Sequence, residues 1–129
     1  MFQSNDIAKL LLRLLVGIMM LFHGVDKIIH GISGIKKLTV AMGLPEFIAY
    51  GVYIGEVVVP IFIILGLYAR VASVFLGINM LMAIFLAYSG SIFTLTKHGA
   101  PVIELPLFYL VLAIVIFLFG SGKYAVNSK

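Results

Sequence analysis

The chain has 129 residues, of which 63% are apolar and 11% charged, with a net charge of +4. An average soluble domain is about 45–50% apolar and about 25% charged. A compact fold of this size leaves much of its surface exposed, so a mean hydropathy of +1.21 makes lipid the natural solvent. The absence of cysteine excludes a disulfide scaffold, thiol catalysis and Cys-ligated zinc or iron–sulfur centres. The basic balance fits charges flanking membrane spans better than nucleic-acid binding.

Four stretches approach the roughly 20 residues needed to cross a hydrocarbon core of about 30 Å. The first covers about 7–29, with Lys9 and Arg13 near one end and Asp26 and Lys27 near the other. Long basic side chains snorkel, so these charges are compatible with a span. No small-x-small cleavage site follows, and the segment reads as a helix rather than a leader. A polar, Gly-rich loop from His30 to Leu44 leads to Pro45, a residue suited to opening a helix.

The second span, about 46–68, carries one internal charge, Glu56. After the tight turn Leu67-Tyr68-Ala69-Arg70 comes a third, about 71–88, and after the Ser89–Val102 connection a fourth, about 104–119. The apolar runs are continuous rather than alternating, which argues against a membrane barrel. Helices satisfy their own backbone in lipid. The expected fold is therefore all-α: a single-domain, four-helix transmembrane bundle with an even number of spans and both termini on one side.

Lys9, Arg13, Arg70, Lys123 and Lys129 fall on the terminal side, and Lys27, Lys36, Lys37 and Lys97 on the other. The short loop holding Arg70 and the charges flanking the first span favour cytoplasmic termini in a cell inner membrane.

Glu56 is the sharpest chemical signal. A carboxyl group about 15 Å into a span is costly and faces the bundle interior, with a partner or a function. Left alone it would hold its proton; Lys27 or a charged His23 nearby would keep it ionised. Pro60, four residues on, has no N–H for the Glu56 carbonyl, so carboxyl and free carbonyl read as one small polar pocket. A packing-only reading makes Glu56 a hydrogen-bonded link between helices.

On the first helix His23, Lys27 and His30 share a face, with Asp26 beside it. Antiparallel packing makes a His23–Glu56 pair geometrically reasonable, with Lys27 in reach. Glu104 opens the fourth span on the same side, where the macrodipole also favours an acid. Asn79 reads as glue between helices, Arg13 as an interfacial anchor, and Gly51-x-x-x-Gly55 and Ser73-x-x-x-Gly77 as close-approach surfaces. No His-x-x-x-His or Glu-x-x-His pair is present, so no metal or haem is expected.

These residues resemble a known family. Arg13-Leu-Leu-Val-Gly17 leading to Phe22-His23-Gly24 and Lys27, then Gly43-Leu-Pro45, Glu56, Leu65-Gly-Leu-Tyr-Ala-Arg70, Glu104-Leu-Pro106 and Gly120-x-Gly122-Lys-Tyr124 are similar to the DoxX family of small four-helix membrane proteins. The chain departs from it in having no tryptophan and in ending Ala125-Val-Asn127.

The resemblance implies association with membrane redox systems, including quinol oxidase and thiosulfate–quinone oxidoreductase subunits. The expectation is a membrane component of a quinone-linked oxidoreductase, a subunit rather than a stand-alone enzyme. A pocket of His23, Lys27, Glu56 and Glu104 would take a quinone or quinol. Partners would be membrane lipid, redox enzymes or further copies of the chain, and not nucleic acid. The alternatives are a small permease or binding module for a hydrophobic or weakly acidic solute, and a membrane scaffold for soluble redox enzymes.

Overall fold

The computed structural model describes residues 4–127; Lys129, counted above among the terminal charges, lies outside them. The described residues contain five helices. Helix α1 is Ser4–His30, α2 Ser33–Ala41, α3 Glu46–Leu65, α4 Ala69–Tyr88 and α5 Glu104–Phe119. The fold is all-α, with no strand among the described residues; Leu95 and Pro101 form an isolated bridge in the α4–α5 connection.

Three helices, α1, α3 and α4, are long and apolar enough to cross a membrane. Helix α5 matches its expected bounds but has 16 residues, about 24 Å of rise against a core of about 30 Å. The difference from the four-helix expectation lies in α2. The segment read as a Gly-rich loop folds between Gly31 and Gly43, both at positive φ, into a short amphipathic helix.

The apolar helices alternate in direction. Arg13 reaches Ser121 beyond the end of α5, and Gly66 and Gly120, after α3 and α5, abut Arg13 and Arg70. The core between them is apolar and dense: Val16, Met20, Ile63, Leu76, Ala113 and Ile116 are buried together. The outer faces of the long helices are lined with exposed Leu, Ile, Val and Phe, as lipid requires.

Helix α1 meets α3 through glycines that the sequence reading did not single out. A Cβ on Gly24 would collide with the Glu56 carbonyl, and one on Gly17 would sit 2.5 Å from Ile64 and 3.0 Å from the Pro60 carbonyl. Gly51, by contrast, has nothing within 4 Å of its would-be Cβ. Close approach thus falls to Gly17 and Gly24 on α1 and to Gly55, which faces Asn79, rather than to Gly51.

Helix α3 is irregular. It opens as a 3-10 turn at Glu46–Tyr50 and widens to a π-turn at Ile54–Val58 before finishing as α-helix. The physical cause is Pro60, whose ring and missing N–H break the bond to residue 56 and loosen the turn before it. The helix ends where Gly66 adopts φ 70°, followed by Tyr68 at φ 49°.

The terminal segment closes this end of the bundle. Arg13 is buried and donates to the carbonyls of Ser121 at 2.6 Å and Tyr124 at 2.7 Å, so it is a clamp and not the interfacial anchor expected. Val126 N–H donates to Leu65 O at 3.0 Å, and Asn127 Oδ1 accepts from Tyr68 N–H at 3.0 Å.

Candidate functional site

At the opposite end, the π-turn turns Glu56 inward, where it is buried. Lys27 of α1, one turn beyond Gly24, donates to Glu56 Oε1 at 2.6 Å. Asn79 of α4 donates to Oε2 at 3.2 Å, its approach allowed by the missing Cβ of Gly55. One carboxylate therefore ties three helices together. A buried anion is tolerable only when its oxygens are paired in this way.

The partner of Glu56 is thus Lys27 and not His23. The His23 ring instead stands edge-on to Tyr109 of α5, with centroids 6.0 Å apart. Tyr53 donates to the Lys27 carbonyl at 3.4 Å, steadying the end of α1. Glu104, the first residue of α5, is exposed, while its neighbours Leu105 and Pro106 reach the site. Asp26 and His30 pair at 2.8 Å on the exposed side of α1.

His23, Lys27, Glu56, Asn79 and Tyr109 line a cavity of about 530 Å³, whereas Glu104, Asp26 and His30 are not among its lining residues. Its polar edge is Lys27, Glu56, Asn79 and His23, and its walls are apolar: Met20, Val52, Phe75, Met80, Met82 and Leu86 among them. Helix α2 covers one side through Ile35 and Leu38. Lys36 fastens α2 to α3, standing 4.6 Å from the centre of the Tyr50 ring and 3.9 Å from Glu46. Its hydrogen bond to Tyr50 is the main reason its ammonium holds its proton above the usual lysine range.

Sequence reasoning missed Tyr109 and gave Asn79 only a packing role. The signal for Asn79 was its spacing: it lies on the same turn of α4 as Met80 and Leu76, which are both buried. Nothing in the sequence singled out Tyr109 from the aromatic residues around it.

A multi-pass helical bundle that gathers a buried carboxylate, a lysine and an amide beside an apolar cavity is the class these features define. Residues 8–89 match the DoxX family, and the chain belongs to it. It is a membrane protein of that family. It is 32% identical over 82 residues to a Bacillus subtilis protein described as "Putative oxidoreductase CatD", covering 64% of this chain and 60% of that one. It is 31% identical over 121 residues to an uncharacterized Haemophilus influenzae protein, covering 92% of this chain and 87% of the relative. No solved structure gives a significant match.

Proposed function

We propose that the chain is a membrane component of a quinone-linked oxidoreductase system and that its cavity binds the quinone or quinol. The observation that carries this reading is the Lys27–Glu56–Asn79 cluster set into an otherwise apolar cavity of about 530 Å³. Ligand pockets combine this size and apolar lining with a few convergent polar groups. The name borne by the Bacillus subtilis relative supports a redox setting.

The donor set fits such a head group. Lys27 and Asn79 supply N–H groups for a carbonyl oxygen, and the His23 ring stands at the same edge. A quinone supplies two-electron chemistry coupled to proton uptake. Glu56, already paired with Lys27, is the group placed to hold or pass a proton at its Oε1. Electrons would come from partner redox enzymes in or on the membrane, which makes the chain a subunit rather than a stand-alone catalyst. Glu104, beside the lining residues Leu105 and Pro106, would stand at the rim.

Mass spectrometry of quinones and lipids retained after mild-detergent purification tests the reading. Wild type should carry quinone, and Glu56→Gln and Lys27→Met should lose it about five- to 150-fold, the equivalent of one polar anchor at about 1–3 kcal/mol. Retention unchanged in both variants, or no quinone in folded wild type, overturns it in favour of a scaffold. The same reading places the termini in the cytoplasm of an inner-membrane protein. A reporter fused after Asn127 should be active on the cytoplasmic side and one in the Ser89–Val102 loop on the other; the reverse pattern inverts the topology.

A further inference from the structure

The cavity does not end at its polar cluster. Two of its lining residues, Ile54 of α3 and Phe75 of α4, also line a second crevice of about 300 Å³ between those helices. Both side chains are more than half exposed on the outer face of the bundle, at 56% and 52%. The crevice runs from them past Val58 and Phe62 toward Val71, and the described residues give it no polar surface. Ile54, Val58 and Phe62 succeed one another at four-residue steps, about 12 Å along α3 in all. The π-turn Ile54–Val58 runs along this boundary, with Ile54 lining both cavity and crevice and Val58 the crevice.

A cavity with one polar edge, parted from a wholly apolar groove only by the outward-facing Ile54 and Phe75, has the form of a site for one amphipathic molecule. We propose that the ligand is a lipid with a hydrogen-bonding head and a long flexible apolar chain, which enters from the bilayer between α3 and α4. Its head sits at Lys27, Glu56 and Asn79, and its chain lies in the groove along Val58 and Phe62. This rests on the proposed quinone site and adds the chain-binding part that a free aromatic head group would not need. Chain and lipid are equally apolar, so the groove selects by packing rather than by removal from water.

Two photoreactive probes in nanodiscs test the two parts separately. One is a benzoquinone with an azide on the ring and no chain; the other is a decyl-benzoquinone with a diazirine at the far end of the chain. The ring azide should label Met20, Met80 or Met82, and excess unlabelled benzoquinone should remove that label. The chain diazirine should label Val58, Phe62 and Val71 about fivefold more than Phe117 and Leu118, which face lipid on α5. Val58→Trp fills the groove from an exposed position, so it should reduce the chain label to the α5 level and leave the ring label intact. Ring label in the cavity with chain label spread evenly over the outer face overturns the groove and leaves the quinone site standing. An even spread of both labels overturns both.

Discussion

Glu56 concentrates the energetics of the site because a carboxylate with 7% exposure has two donors and no water-rich alternative. Removing its cation should therefore cost more than removing the charge of both partners. Lys27→Met should lower bundle stability by about 3 kcal/mol, since it leaves a buried anion with Asn79 alone. Lys27→Met combined with Glu56→Gln should recover most of that loss, as the neutral amide can still accept from Asn79. Thermal unfolding in detergent checks this; equal destabilisation by the single and double variants would mean that the loss comes from removing Lys27 itself and not from stranding the anion. That Glu56 faces inward was legible from a lone acid in an apolar run. Its choice of Lys27 over His23 was not. Both lie on one face of α1, and the choice depends on how near Gly24 lets the two backbones come.

At the level of helices, the glycines of this chain have unequal work. Gly24 lies against the Glu56 carbonyl, whereas Gly51 faces open space. Gly24→Ala should force α1 and α3 apart at a cost of about 1–3 kcal/mol and weaken the Lys27–Glu56 pair with it. Gly51→Ala should leave stability unchanged or raise it slightly, because alanine favours helix. Parallel melting curves of the two variants decide the matter, and a larger loss for Gly51→Ala would contradict the packing described. The apolar helices were legible to within three residues at most ends, because hydropathy and Gly66 or Gly120 mark them. Helix α2 was not: its mixed sequence between Gly31 and Gly43 looks like a loop until Ile35 and Leu38 find the cavity wall. The π-turn was half visible, in that Pro60 announced a freed carbonyl but not the widened turn that accommodates it.

Across the whole bundle, one end is tied by backbone and the other by side chains. Arg13 holds the terminal segment through the Ser121 and Tyr124 carbonyls, and among the described residues no carboxylate pairs with it. Arg13→Met should strand those carbonyls and cost about 3 kcal/mol. Hydrogen–deuterium exchange should rise in residues 121–127 while ligand retention at the far end stays near wild type. Unchanged exchange there would show that the segment is held by its bonds to Leu65 and Tyr68 instead. None of this was legible in the sequence, where Arg13 and Ser121 lie 108 residues apart and each looks ordinary.

That closed end has a bearing on traffic across the membrane. Beneath the cavity Ile63, Leu76 and Ile116 are each 0% exposed, and below them the Arg13 clamp shuts the floor. From Lys27 downward the described structure offers packed side chains and no further hollow in line with the cavity. A path straight through the bundle would have to part this packed floor and release the tail that Arg13 holds. The described bundle is thus lopsided: hollow at the Lys27 end and plugged at the other.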